Sequence, residues 1–278
     1  MDRQLAGRVA WVTGGASGMG RASALALARM GADVAIGSLV ESQRAVVLAR
    51  QNAYTPADEE LDRTKAEIEA LGVRGLAMPL DVCSDQSVRR SFDAITGAFG
   101  RIDILINAAG SSTRHPISGH PDELWLRMLD TNLTGPYRTI KLCFPGMKER
   151  RWGRIVNFAS TAAKVGYPLH SAYCASKAGL LGLTRCVALE GGEHGINCNA
   201  VCPGFVETGS NYGGTKQDME MAGIEMSVEE YRAQVAQTLP QKRFLKPAEV
   251  GELVAFLCRE DAFGISAEDI TIAMGSQW

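Results

Sequence analysis

The sequence contains no uninterrupted apolar run of roughly 18 residues, so no segment reads as a bilayer-spanning helix. It also lacks an excess of either charge. Its 29 basic and 31 acidic residues leave a formal charge of -2, which gives no basic footprint for nucleic acid or an anionic membrane. None of its seven cysteines forms a Cys-x-x-Cys pair, and its four histidines show no metal-ligand spacing near them, so no metal site is expected. The thiols (Cys83, Cys143, Cys174, Cys186, Cys198, Cys202 and Cys258) are expected to be reduced and mostly buried. Cys198 and Cys202 share one face of an alternating stretch but lie too far apart for an unstrained disulfide. Repeats, low-complexity runs and a domain-splitting linker are missing too. Met1 to Leu5 pass into a strand with no signal-peptide core. These features predict a cytosolic chain forming a single domain over residues 1–278.

What the sequence does have is an alternation. Short apolar runs of strand length recur at Val9–Val12, Asp33–Gly37, Gly75–Leu80, Ile102–Asn107, Arg154–Phe158, Asn197–Val201 and Asp269–Ala273. Helical patterns lie between them, at Gly20–Met30, Asp85–Ala98, Asp122–Arg150 and Ala172–Glu190. Continuous apolar strands alternating with amphipathic helices mark a parallel sheet covered on both faces. The expected fold is therefore α/β, a doubly wound Rossmann-type domain of about seven parallel strands with helices on both faces. Two passages exceed what connections need. Leu39–Leu71 contains a charge-rich helix start at Pro56–Leu61. Glu207–Pro240, polar with Met and Gly, follows the sixth strand and reads as a lid over a site; surface decoration is the alternative for both.

Chemistry is concentrated between Ser160 and Lys177. Tyr173 and Lys177 stand four residues apart, so a helix carries them on one face. An ammonium beside a phenol favours phenolate, and is expected to draw the Tyr173 pKa from roughly 10 toward neutrality, making it a usable proton donor and acceptor. Ser160 follows a strand, at the edge where such sheets bind ligands. Far upstream, Thr13–Gly20 joins the first strand to the first helix. Glycines there let backbone approach a pyrophosphate, whose charge the helix N-terminus stabilises.

The order of these features resembles the short-chain dehydrogenase/reductase family in its compact one-domain form, across nearly the whole chain. The glycine motif is met by Thr13 through Gly20, so the resemblance implies cofactor contacts at Gly14, Ser17, Gly18, Met19 and Gly20. Asp81-Val82 matches the pair flanking adenine, and Asn107-Ala108-Ala109-Gly110 matches the family's Asn-Asn-Ala-Gly with one change. Pro203, Gly204, Val206 and Thr208 match the segment that holds the nicotinamide carboxamide. Asn132, Ser160, Tyr173 and Lys177 match the four catalytic positions. Tyr173 and Lys177 would also touch the cofactor.

The implied activity is NAD(P)-dependent interconversion of a secondary alcohol and a ketone. Ser160 and Tyr173 would bond the carbonyl oxygen, with Tyr173 as general acid/base. Lys177 would hold the nicotinamide ribose, and Asn132 a water linking Lys177 to solvent. Ser38 replaces the acidic residue that would bind both adenosine-ribose hydroxyls of NAD. Its small neutral side chain removes repulsion of a 2′-phosphate, so both cofactors are expected with a lean to NADP; Arg44 is the nearest candidate cation. Another departure is Ala273-Met274-Gly275 where the family has Asp-Gly-Gly. The substrate, a small-molecule alcohol or ketone with an apolar part, would meet residues 111–118, 164–170 and 207–240. His170, Lys164 and Tyr167 could line that pocket or merely pack, and Cys174 reads as packing. The rival readings are a non-catalytic NAD(P)-sensing protein and an epimerase or dehydratase on the same fold. Apolar faces on both sides of the two long helices, and Trp278 at the carboxyl end, point to a homotetramer.

Overall fold

The computed structural model describes residues 3–43 and 54–276; Arg44 and Trp278, the candidate cation and the candidate interface aromatic, lie outside the described residues. The first strand, β1 (Val9–Thr13), is buried along its whole length, as an apolar run flanked by helices on both faces should be. Six more strands join it: β2 (Asp33–Ser38), β3 (Gly75–Pro79), β4 (Ile104–Asn107), β5 (Gly153–Phe158), β6 (Ile196–Pro203) and β7 (Asp269–Ile272). All pair in parallel in the order β3-β2-β1-β4-β5-β6-β7. The chain reverses its direction of winding between β1 and β4. The carboxyl ends of these two central strands therefore open onto the crevice where such sheets take ligands.

Alternation within each strand decides which helix covers which face. Ala10, Val12, Val34, Ile36, Ile104 and Ile106 pack with helix α1 (Gly18–Arg29), with Leu61 and Ile68 of α2 (Asp58–Ala70), and with α9 (Pro247–Leu257) near the carboxyl end. Val9, Trp11, Ala35 and Leu105 point the other way, onto α3 (Asp85–Phe99), α5 (Gly135–Arg150) and α6 (Ser171–Gly191). Trp11, fully buried, fills the middle of this second layer. Burying a side chain of this size contributes roughly 3 kcal/mol.

The expected long helix over Asp122–Arg150 is interrupted. It consists of α4 (Asp122–Leu129), a π-helical turn over Asp130–Thr134, and α5. Pro136 has no N–H to return to the Asn132 carbonyl four residues earlier. The helix widens there, as single-turn π segments do at functional sites. The Glu207–Pro240 passage is helical rather than an irregular loop: α7 (Gly209–Ala222) and α8 (Val228–Thr238) occupy most of it. Ser227 and Glu230 form a reciprocal capping box at the start of α8, which is the local signal that polarity alone concealed. No helix among the described residues is long and apolar enough to cross a membrane.

Candidate active site

Gly14 leaves β1 at φ 70°, and a side chain there would meet Ala109 N at 2.8 Å. At Gly20 a Cβ would collide with the Gly14 carbonyl oxygen. The turn after β1, the first turn of α1 and the turn after β4 thus interlock as bare backbone. Ser17 precedes α1 without capping it through its side chain, and no acidic residue occupies the first helical turn. The first amides of α1 remain available to an anion. Ser38, at the end of β2, is buried, and its Oγ accepts from Ala16 N at 3.0 Å, which stitches β2 to the glycine loop.

One cleft at the carboxyl edge gathers Gly14, Ser17, Gly18, Met19, Gly20, Ser38, Asp81, Val82, Ala108, Gly110, Tyr173, Lys177 and Thr208. Asp81 braces the turn beyond β3 by accepting from Cys83 N at 2.9 Å. Thr208 caps α7 by accepting from Asn211 N at 3.1 Å. Other expected contacts sit behind the cleft. The Asn107 side chain donates to Asn157 Oδ1 at 2.9 Å and accepts from Thr139 at 2.7 Å, tying β4 to β5 and α5. Pro203 ends β6, Gly204 N donates to the Ile272 carbonyl at 3.0 Å, and buried Val206 bridges to Leu245. These three shape a wall rather than line the cleft.

Tyr173 lies in the first turn of α6 and Lys177 one turn later. Lys177 is buried and donates from Nζ to the Phe158 carbonyl at 2.7 Å; its Nζ lies 5.7 Å from the Tyr173 ring centroid. Burial lowers the Lys177 pKa to about 8. Tyr173 shifts opposite to the expected direction. Burial pushes its phenol up, and a hydrogen bond with the Ser160 side chain and the nearby Arg114 guanidinium pull back against it. The ammonium is tied to a carbonyl across the ring, so it does not overcome the desolvation. Ser160 also accepts from Ala162 N at 3.1 Å, which fixes the turn after β5.

Asn132 sits in the π turn, fully buried. Its Nδ2 donates to the Ser111 carbonyl at 2.9 Å and its Oδ1 accepts from Ser111 N at 3.0 Å. The same Nδ2 reaches Ser176 at 3.1 Å. Asn132 thereby clamps the turn after β4 to α6. A Cβ on Gly110 would lie 3.1 Å from Asn132 Oδ1 and 3.4 Å from Lys177 Nζ, so the bare glycine lets the amide and the ammonium approach one another.

Several cleft residues had no legible sequence signal. Tyr54, Thr55 and Pro56 line it from the Leu39–Leu71 passage, Cys83 from the turn beyond β3, and Arg127 and Thr131 from α4 and the π turn. The Tyr54 ring rests against Gly209, with Cε2 at 2.8 Å from where a Cβ would be, and its hydroxyl donates to the Glu60 carboxylate, 3.0 Å from one oxygen. Of the ambiguous residues, Lys164 is tied to β7 through the Asp269 carbonyl at 2.8 Å and Thr271 at 2.9 Å. The His170 ring lies edge-on to both Tyr167 and Tyr173, with centroids 6.3 Å apart in each pair.

Comparison with known proteins agrees with this geometry. A sequence profile described as enoyl-(acyl carrier protein) reductase matches residues 45–277. A 3-oxoacyl-(acyl-carrier-protein) reductase of Vibrio cholerae is 33% identical over 98% of each chain. The chain belongs to the short-chain dehydrogenase/reductase family. Another relative, the D-beta-hydroxybutyrate dehydrogenase of Cupriavidus necator, is 34% identical over 93% of each chain. Among solved structures, an actinorhodin polyketide ketoreductase with NADPH superposes with a TM-score of 0.87 at 33% identity, covering 100% of this chain and 99% of that one. An NAD+-bound xylitol dehydrogenase superposes with a TM-score of 0.84 at 28% identity, covering 98% and 100%. This short-chain dehydrogenase/reductase is accordingly an NAD(P)-dependent oxidoreductase acting on CH–OH groups. Its interlocked glycines and the uncapped start of α1 fit a dinucleotide, because a side chain at Gly14 or Gly20 would fill the cradle.

Proposed function

We propose that this short-chain dehydrogenase/reductase interconverts a secondary alcohol and a ketone, with Tyr173 as the general acid/base. The observation that carries the reading is Tyr173 and Lys177, one helical turn apart with the ammonium across the ring, lining the same cleft as the glycine cradle, with the Ser160 side chain acting on the phenol. NAD(P), when bound, supplies or removes the hydride at the reacting carbon. In reduction, Ser160 and Tyr173 donate hydrogen bonds to the carbonyl oxygen, and the Tyr173 proton moves to that oxygen as the alcohol forms. In oxidation the same phenolic oxygen takes the proton back. Because burial disfavours free phenolate, the protonated acid is the resting form at neutral pH. Lys177, anchored on the Phe158 carbonyl, keeps its remaining N–H groups for the nicotinamide-ribose hydroxyls. Asn132 holds the Ser111 turn, and its amide and the Lys177 ammonium both lie beside Gly110, where Asn132 would support the proton route to the ammonium. Preorganised donors of this kind act where charge develops.

At the adenosine end, Gly14, Ser17, Gly18, Met19 and Gly20 would cradle the pyrophosphate, and Asp81 and Val82 would flank adenine. Ser38 presents a neutral hydroxyl where a carboxylate would repel a 2′-phosphate, which supports binding of both cofactors with a lean to NADP. A homotetramer is part of the same reading, supported by exposed Leu126 on α4 and Tyr137 on α5.

The test is Tyr173→Phe assayed against a panel of secondary alcohols and ketones, following absorbance of the reduced nicotinamide. Turnover is expected to fall by several orders of magnitude while NAD(P) binding, read by fluorescence titration, stays within a few-fold of wild type. Near-normal turnover in the variant would rule out Tyr173 as the acid/base. Binding without turnover of any alcohol or ketone in the wild type would favour a nucleotide-sensing protein.

A further inference from the structure

Arg127 stands near the end of α4 and lines the cleft together with Asp81, Cys83 and Thr131. This wall is knit across by Cys83 Sγ and Thr131 Oγ1, 3.3 Å apart. Two cations line the cleft among the described residues, and Lys177 is already bonded to the Phe158 carbonyl. Arg127 is the other. The carboxylates of Asp130 and Asp85, on the two segments that meet here, are both taken by Arg138, at 2.6 and 2.7 Å. What Arg127 faces instead is Asp81, whose Oδ1 lies 3.9 Å from Nη2, beyond hydrogen-bond reach. The guanidinium makes no hydrogen bond with any described residue. Its Nε is buried without a partner, whereas Nη1 and Nη2 stay accessible on a side chain that is 26% exposed.

A half-enclosed guanidinium with no acceptor is costly, and a ligand that supplies one recovers that cost. Asp81 is placed in a matching way. Its Oδ1 accepts from Cys83 N at 2.9 Å, while its Oδ2 accepts from no described residue. The wall therefore offers a free acceptor beside a free donor. A phosphate suits that pair poorly, because the Asp81 charge repels it. A neutral heterocycle with a donor next to an acceptor suits it well, and adenine is one, with an amino group flanked by ring nitrogens that accept. We propose that Arg127 is a cofactor-binding residue, its terminal nitrogens donating to a ring nitrogen of adenine while Asp81 Oδ2 accepts from the amino group. Arg127 then contributes equally to NAD and NADP, and the choice between them is left to the Ser38 side of the cleft. This rests on adenine lying beside Asp81, and adds the residue that completes the recognition of the base.

The test reads binding without turnover, by calorimetric titration of wild type, Arg127→Met, Arg127→Lys and Asp81→Ala. The probes are NAD+, NADP+ and nicotinamide mononucleotide, which lacks the adenosine half. Arg127→Met is expected to weaken NAD+ and NADP+ alike by about 10-fold or more, the loss of one hydrogen bond from a charged donor, and to leave the mononucleotide unchanged. Arg127→Lys keeps a charged donor and should recover part of that affinity. A loss confined to NADP+ would put a phosphate rather than the base against Arg127 and overturn the proposal. So would unchanged affinity for both dinucleotides, or an equal loss for the mononucleotide, the mark of a cleft merely distorted. Asp81→Ala separates the premise from the inference. If it leaves dinucleotide binding intact, adenine lies elsewhere and both fail; if it weakens binding and Arg127→Met does not, only the role of Arg127 fails. The wild type should also bind the hypoxanthine analogue of NAD+ more weakly than NAD+, because a carbonyl then replaces the amino group facing Asp81. Equal affinity for the two would refute recognition of the base by this pair.

Discussion

Lys177 holds its Nζ 5.7 Å from the centroid of the Tyr173 ring while bonded to the Phe158 carbonyl. The ammonium is thus positioned by backbone rather than by the phenol beside it, and it bears a burial penalty that lowers its pKa to about 8. A tenfold change in a proton-binding equilibrium corresponds to about 1.4 kcal/mol. Keeping this buried lysine charged at neutral pH therefore costs on the order of 3 kcal/mol.

Lys177→Met should therefore stabilise the fold while abolishing turnover, the trade expected where function demands a buried charge. The lowered pKa means the folded state binds fewer protons than the unfolded one between about 8 and the ordinary lysine value of about 10.4. The penalty in wild type is full below pH 8 and is relieved as pH rises through that window. Melting temperatures at about pH 7 and about pH 9.5, on either side of the folded-state value, should show the variant ahead at the first and the gap narrowed at the second. A variant less stable than wild type at neutral pH would show that the Phe158 bond outweighs desolvation.

The Tyr173 phenol, raised by burial, gives activity an opposite dependence in the two directions. Oxidation needs phenolate and should climb through the alkaline range, whereas reduction needs the acid and should stay level below it. Ser160 bonds the phenolic oxygen and lowers that pKa. Ser160→Ala should thus move the oxidation profile to higher pH as well as reduce kcat by about 10²-fold or more, as losing one preorganised donor does. A profile of kcat/KM against pH for both proteins checks the sign.

Ser38→Asp should lose NADP activity more than NAD activity. The new carboxylate would still accept from Ala16 N, as Ser38 Oγ does now, while its charge meets the 2′-phosphate. Kinetics with the two cofactors at equal substrate would expose the lean. A wild type that already rejects NADP a hundredfold would place the NAD contacts in the Leu39–Leu71 passage, whose Tyr54 borders the same cleft.

Light scattering at micromolar concentration should report about four times the 29.8 kDa chain. Leu126→Glu together with Tyr137→Glu, on the exposed sides of α4 and α5, should reduce that mass. A particle of single-chain mass for the wild type would refute the tetramer.

The parallel sheet was legible because it needs strands buried on both faces, and Val9–Thr13 or Ile104–Asn107 announce that without reference to any partner. The glycine loop and the Tyr173–Lys177 pair were legible for a related reason: backbone approach and one-turn spacing are local geometry, written in consecutive residues. The direction of the Tyr173 shift was not, because desolvation depends on how much protein closes around the phenol and on Phe158 claiming the ammonium. Nor was the role of Asn107, whose partners Asn157 and Thr139 come from another strand and a helix. Tyr54 against Gly209, and Arg114 between Gly214 and Asp218, join residues about a hundred or more positions apart. Short-range pattern was thus enough for the parallel sheet, the dehydrogenase/reductase family and the four candidate catalytic positions, since each is spelled out within a few consecutive residues. Which residues of the Leu39–Leu71 passage line the cleft, and where the Arg114 guanidinium comes to rest on α7, emerged only on folding, because both depend on distant segments meeting across the carboxyl edge of the sheet.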